Sequence, residues 1–353
     1  MRTTVTSLEG LRGVAALFVV FHHMCYAPPH RQFDSAYLCV DLFFVLSGFV
    51  ICRAYGGQLT SRTQLRTFAI RRVGRLWPAH IATSALAIAF AYRVPSVGEV
   101  LALVTMSQGL NLFPNGVGNL VGWSISDEMF VYLAFGALCF LLQGKARIAG
   151  FAALALIGYA LAVWITLSID RCLLTGKCLG MTFNFGWTRC LAGFFIGALI
   201  CEFRDRVAAL ARGRAIQLTA SAASLSMVMF ANDLPGSAPF APLVFATLIG
   251  SLLADRGPIA NLLQTRPAQY LGKVSYALYL GHGVWFLQML SATTGTGLND
   301  RLIPYALFLF WTFGIAHLLH KYVEVPFRDR FNRWAQSSAQ ATPVYSQIKE
   351  PQQ

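Results

Sequence analysis

The sequence predicts an all-α polytopic membrane protein, a bundle of about ten transmembrane helices with both termini in the cytoplasm. Composition is the first observation behind that. Of 353 residues, 56% are hydrophobic and only 12% charged, against about 25% charged in an average soluble domain. A soluble chain this poor in charge cannot cover its surface with polar groups. Arrangement is the second. The apolar residues gather into runs near the ~20 residues that a crossing helix needs. Together these exclude a water-soluble enzyme, a disordered chain and a fibre.

The runs fall at 12–27, 38–52, 76–92, 120–142, 148–168, 187–201, 216–231, 240–254, 274–290 and 303–320. The first leads into His22-His23 and Pro28-Pro29 without a small-residue cleavage pattern, so it stays in the mature protein. Residues 98–113 are a weaker eleventh candidate, broken by Gln108, Asn111 and Pro114. The Lys/Arg bias decides whether it crosses. With the N-terminus inside and 98–113 not crossing, the inner segments hold 21 Lys and Arg. The outer segments hold Arg31, Arg93, Arg171, Lys177, Arg189 and Arg301, and Arg12 lies within the first helix. A crossing at 98–113 inverts every later loop and destroys the bias.

The net charge of +13 is therefore mainly a topology signal, and no nucleic-acid partner is expected. One stretch exceeds what topology needs. Arg53, Arg62, Arg66, Arg71, Arg72 and Arg75 share a loop with no acid. They serve either as anchors for anionic headgroups or as a site for a polyanion, since the guanidinium fork suits phosphate. Among eight cysteines, Cys25, Cys39, Cys52, Cys139, Cys190 and Cys201 read as core or lipid-facing residues. Cys172 and Cys178 lie in a polar loop and are a disulfide candidate if that loop meets an oxidising compartment. No soluble domain is expected. Residues 1–330 form the membrane domain, and 331–353 read as a polar, disordered cytoplasmic tail. No internal repeat and no matched pair of interrupted helices marks a transporter.

Ionisable residues inside spans are costly and mark function. Arg12 and His23 are eleven residues apart, which places them on one helix face about 16 Å apart along the axis. Asp41 has a similar depth on the next helix, so an Asp41–His23 pair is plausible, with helix capping by Asp41 as the plainer alternative. Asp127 and Glu128 are adjacent within an apolar run. Only one of them faces any given cavity, and Arg189 is a candidate partner for Glu128. His282 and Glu324 add further polar groups. No His or Cys pattern suggests a metal site.

Several motifs together resemble the acyltransferase family 3 membrane proteins. They are Leu8-Glu9-Gly10-Leu11-Arg12-Gly13 with His23 eleven residues after the arginine, and Asp41 through Phe49. Next come Arg71-Arg72, Arg75 and Trp77-Pro78, then Trp123 through Tyr132, then Leu271 through Tyr276 with His282, and finally Glu324-x-Pro326-x-Arg328. The Glu128-Met129-Phe130 ending is similar to the branch that modifies exopolysaccharides. The resemblance implies a ten-helix protein of the bacterial inner membrane. It implies transfer of an acyl group, most commonly acetyl, from cytoplasmic acyl-CoA to a sugar hydroxyl of an extracytoplasmic polysaccharide, lipopolysaccharide or glycolipid. Acyl-CoA is then a co-substrate, with no permanently bound cofactor.

On that basis His23, Asp41 and Glu128 are the expected catalytic residues. His23 acts as base or transient acyl carrier, oriented by Asp41. Glu128 positions the acceptor or pairs with an arginine. Arg12, Arg71, Arg72 and Arg75 are expected to hold acyl-CoA, and Asp127, Arg189 and His282 are further candidates. His22, beside His23, leaves open which imidazole acts. Asp127 fills a slot that is usually apolar in the family. The rival reading is a transporter or flippase for glycans or lipid-linked sugars, in which the same charges form a solute or proton path.

Overall fold

In the computed structural model the described residues are 5–24, 33–91, 94–234, 236–292 and 298–340, and they are helical with no strands. The helices are α1 Thr6–Met24, α2 Cys39–Tyr55, α3 Arg62–Phe90, α4 Val97–Thr105, α5 Trp123–Leu141, α6 Gly144–Ser168, α7 Cys172–Thr175 and α8 Gly186–Glu202. They continue as α9 Arg204–Leu210, α10 Arg214–Phe230, α11 Ala241–Leu252, α12 Pro258–Leu263, α13 Arg266–Ala292, α14 Leu298–Leu319 and α15 Val325–Gln340. A wide π turn, His320–Glu324, joins the last two. Cys25, Arg31 and Arg93 lie outside the described residues.

Among the described residues, five helical segments are long and apolar enough to cross a membrane: Ala36–Tyr55, Leu120–Leu141, Gly144–Ser168, Arg214–Asp233 and Leu302–Ser338. A sixth follows if α8 and α9, bent by 86°, count as one span. Three other long helices are more polar for a visible reason. α1 carries Arg12 and two histidines, α3 opens with its arginines, and α13 carries Lys273 and His282.

The weak segment at 98–113 is a nine-residue helix, about 14 Å long and too short to cross. A reciprocal capping box between Ser96 and Glu99 starts it, and Met106, at φ 56°, ends it. The chain then returns along α5, where Ser126 donates to the Met106 carbonyl (2.5 Å) and accepts from the Gly109 amide (3.0 Å).

Glycines set the closest helix contacts, as is common where apolar helices pack without water. A Cβ on Gly48 of α2 would lie 1.7 Å from the Phe194 carbonyl oxygen of α8. On α1, a Cβ on Gly13 would lie 2.4 Å from the Gly272 nitrogen of α13.

The tail departs from expectation. Residues 331–340 are not disordered but complete α15, which packs on α3. Phe331 rests where a Cβ on Gly74 would stand (2.2 Å), and Ala335 is fully buried. The tail's charges lie on the other face of an amphipathic helix, so overall polarity concealed its apolar stripe. Residues 341–353 lie outside the described residues.

Candidate active site

Two of the larger cavities among the described residues lie between the helices, one toward the arginine-rich end of the bundle and one toward the other. The inner cavity encloses about 780 Å³ of empty space, counted to its mouth, between α1, α2, α3, α5 and α13. Arg12, Arg72, Arg75 and Glu128 face it. Arg72 stacks over rings rather than an acid, 5.3 Å from the centre of Tyr55 and 5.7 Å from that of Tyr132. Arg75 lies 5.1 Å over Tyr276 and pairs with Glu324, whose other oxygen is 3.1 Å from His320 Nδ1. The π turn brings Glu324 to that point. Arg71 does not line the cavity.

Glu128 accepts from Ser47 and from Tyr132 (2.5 Å), and those two hydroxyls are 2.9 Å apart. Arg189 is therefore not its partner. Neighbouring Asp127, about 100° round the helix, lines neither cavity. Its two buried oxygens have no hydrogen-bond partner among the described residues and point toward Gly109 and Gly186.

The outer cavity, about 1150 Å³ to its mouth, is faced by His22, His23, Tyr37, Lys177 and Arg189. Its wall includes a loop closed by a Cys172–Cys178 disulfide, and the Cys178 carbonyl accepts from Tyr37. Val40 and Tyr279 line both cavities, so a single layer of side chains separates them. Tyr279 is held there by Ser124 (2.7 Å) and the Val121 carbonyl (3.0 Å).

The expected Asp41–His23 pair is replaced by two others. Asp41 binds Arg189 through both oxygens (Nε–Oδ1 3.1 Å, Nη2–Oδ2 2.6 Å), and the side chains are 0% and 1% exposed. The third nitrogen of Arg189 donates to the Met181 carbonyl (2.6 Å). Similar depth along two helices fixed the height of Asp41 but not its direction. It lies on the stripe of α2 that faces α8.

His23 meets His282 of α13 instead, Nδ1 to Nε2 at 3.2 Å. The tautomers follow from the remaining partners. His23 Nδ1 also contacts the Val19 carbonyl (3.0 Å), and His282 Nδ1 the Leu278 carbonyl (3.3 Å). Carbonyls only accept, so Nδ1 carries the hydrogen in both neutral rings and His282 Nε2 accepts from His23. Nε2 of His23 is then the bare, basic nitrogen. His22 Nδ1 contacts the Phe33 carbonyl (2.9 Å) on another face.

Sequence reasoning missed Ser47, Tyr132, Tyr276 and Tyr279 as site residues. Helical spacing held the clue for two of them. Tyr132 is one turn beyond Glu128, and Tyr279 is one turn before His282.

A family model for an acyltransferase domain, that of acyltransferase family 3, matches residues 5–321. Among curated proteins, protein 2 in the picA locus of Rhizobium radiobacter is 37% identical over 164 residues, covering 37% of this chain and 81% of that protein. A peptidoglycan O-acetyltransferase of Listeria monocytogenes is 23% identical over 364 residues, covering 93% of this chain. This chain spans 56% of that enzyme's length. No solved structure matches at a significant level.

Proposed function

The chain belongs to acyltransferase family 3, and from that premise we propose that it is a membrane-bound O-acyltransferase drawing on acyl-CoA, most commonly acetyl-CoA. The acceptor is a sugar hydroxyl of an extracytoplasmic glycan. The bundle crosses the bacterial inner membrane ten times, with both termini in the cytoplasm. The observation that carries this is the division of labour along α1: Arg12 faces the inner cavity and His23 the outer, with one layer between them. The disulfide on the outer wall supports the orientation, because such bonds persist in oxidising compartments.

The donor enters the inner cavity with its phosphates on Arg72, Arg75 and Arg12. The pantetheine arm runs along α1 past Val40 and Tyr279 and presents the thioester to His23. Nε2 of His23 takes the proton from the sugar hydroxyl as its oxygen attacks the thioester carbon. The tetrahedral intermediate expels the CoA thiolate, which recovers that proton. The products are the sugar ester and free CoA. His282 fixes the tautomer that leaves Nε2 basic. Asp41 holds Arg189 and through it the Met181 segment of the outer wall.

The test is purified protein in proteoliposomes with acetyl-labelled acetyl-CoA and a mixed bacterial polysaccharide. Label should move to glycan with wild type and not with His23→Ala, while His22→Ala retains most transfer. Absence of His23-dependent CoA release across several acyl donors would overturn the enzyme reading and leave the charges as a transport path.

A further inference from the structure

Away from both cavities, an open cleft of about 1760 Å³ lies where the end of α9, the start of α10 and the α11–α12 connection meet. Three exposed arginines, Arg212, Arg214 and Arg256, line it, and no acid does. None of the three guanidinium groups has an ion pair or hydrogen bond among the described residues. The acids nearest in sequence are engaged elsewhere. Glu202 pairs with Arg147 (2.7 Å) and Asp205 with Arg204 (3.5 Å). Asp255 accepts from the amides of Thr6 (3.0 Å) and Ser7 (2.8 Å) at the start of α1.

The cleft is also held open by a buried group. The Gln217 amide donates to the carbonyls of Ser251 (3.3 Å) and Arg256 (3.1 Å) and accepts from the Ile259 amide (2.9 Å). One side chain thus ties α10 to the opposite wall. Three forks with fixed backbones, no neutralising carboxylate and room between them make a concave anion receptor.

We propose that this cleft binds a phosphate group. Its source is either the headgroup of an anionic phospholipid at the membrane surface or a soluble phosphate. No residue is shared with the inner cavity, so the site is separate from the donor site.

The experiment compares wild type with the triple variant Arg212→Gln, Arg214→Gln, Arg256→Gln. In one arm, protein is extracted from vesicles of equal phosphatidylcholine and phosphatidylglycerol, and the lipid it retains is counted by native mass spectrometry. In the other, inorganic pyrophosphate is titrated by calorimetry in neutral detergent, and the stoichiometry is read because the inner arginines take the same anion. A lipid site predicts that the variant loses affinity for phosphatidylglycerol by roughly a hundredfold, given about a kcal/mol for each of three arginines near a charged surface. A soluble-phosphate site predicts one pyrophosphate fewer per chain. Arg214→Gln alone, should the triple variant unfold, gives a smaller change in the same reading. Unchanged lipid retention together with unchanged stoichiometry overturns the proposal.

Discussion

Arg72 at the inner cavity and Arg189 at the outer are held in opposite ways. At the inner cavity Arg72 stacks on aromatic rings with no carboxylate partner; its Nη2 donates to the Tyr55 hydroxyl (3.5 Å) and its buried Nε has no partner among the described residues. In the outer cavity Arg189 is saturated by Asp41 and the Met181 carbonyl. An arginine on a ring keeps its charge uncancelled and can still meet an anion. One buried against a carboxylate has its charge cancelled and serves as a brace. The same residue type is therefore left without a carboxylate at one end, where the proposed donor enters, and builds a wall at the other. In the proposed mechanism the chemistry at the outer end falls to imidazole.

The largest effect that can break this contrast is at the brace. Asp41→Asn should destabilise the protein by about 3–5 kcal/mol, because it leaves a buried guanidinium uncompensated. Replacing both partners, Asp41→Leu with Arg189→Met, should recover much of that loss. Thermal melting in detergent measures both, and a neutral Asp41→Asn would show that Arg189 is not a brace.

Next comes the imidazole pair. His282→Ala should lower kcat about a hundredfold with little change in KM, as expected when a reacting group is misoriented rather than removed. A rise in KM alone would place His282 in substrate binding.

At the inner end, Arg72→Gln should raise the KM for acetyl-CoA about tenfold, the size of a lost hydrogen bond to a charged group. Arg71→Gln, outside the cavity, should hardly alter it. Equal effects would dissolve the distinction.

The smallest effect lies outside both cavities, at Asp255. Burial opposes its charge, but hydrogen bonds from Ser7 and Thr6 outweigh that and hold its carboxyl below the ordinary 3.8. A depressed carboxyl stabilises the fold fully above its unfolded value, and the contribution is lost as pH falls through the folded one. Asp255→Asn should therefore melt slightly lower at neutral pH, and the gap should close below about pH 4. A gap that persists in acid would mean that the carboxylate's charge is not what docks α1.

Much of the architecture was legible because helices announce themselves by apolar length, and each apolar run contains a helix. The Arg12–His23 relation was legible because both lie on one continuous helix, where spacing gives direction as well as distance. Asp41 was not, because its partner sits on another helix. Rotation of α2 about its own axis is set by glycines such as Gly48 pressed against α8, a contact between segments far apart in sequence. Helix geometry alone could not separate Glu128 from Asp127 for a related reason. Adjacent residues share a depth, and only packing decides that Glu128 looks into the cavity while Asp127 looks toward Gly109.

The contact between Gly13 and Gly272 does more than bring two helices close. It lies near the arginine-rich end of α1, ten residues and about 15 Å along the axis from His23, yet it fixes how far α13 can slide or lean. The helices behave like two rulers clamped at one end, so the alignment of their far marks, His23 and His282, is inherited from the clamp. A single methyl group added there would reach the imidazoles as a change of angle, without touching either ring.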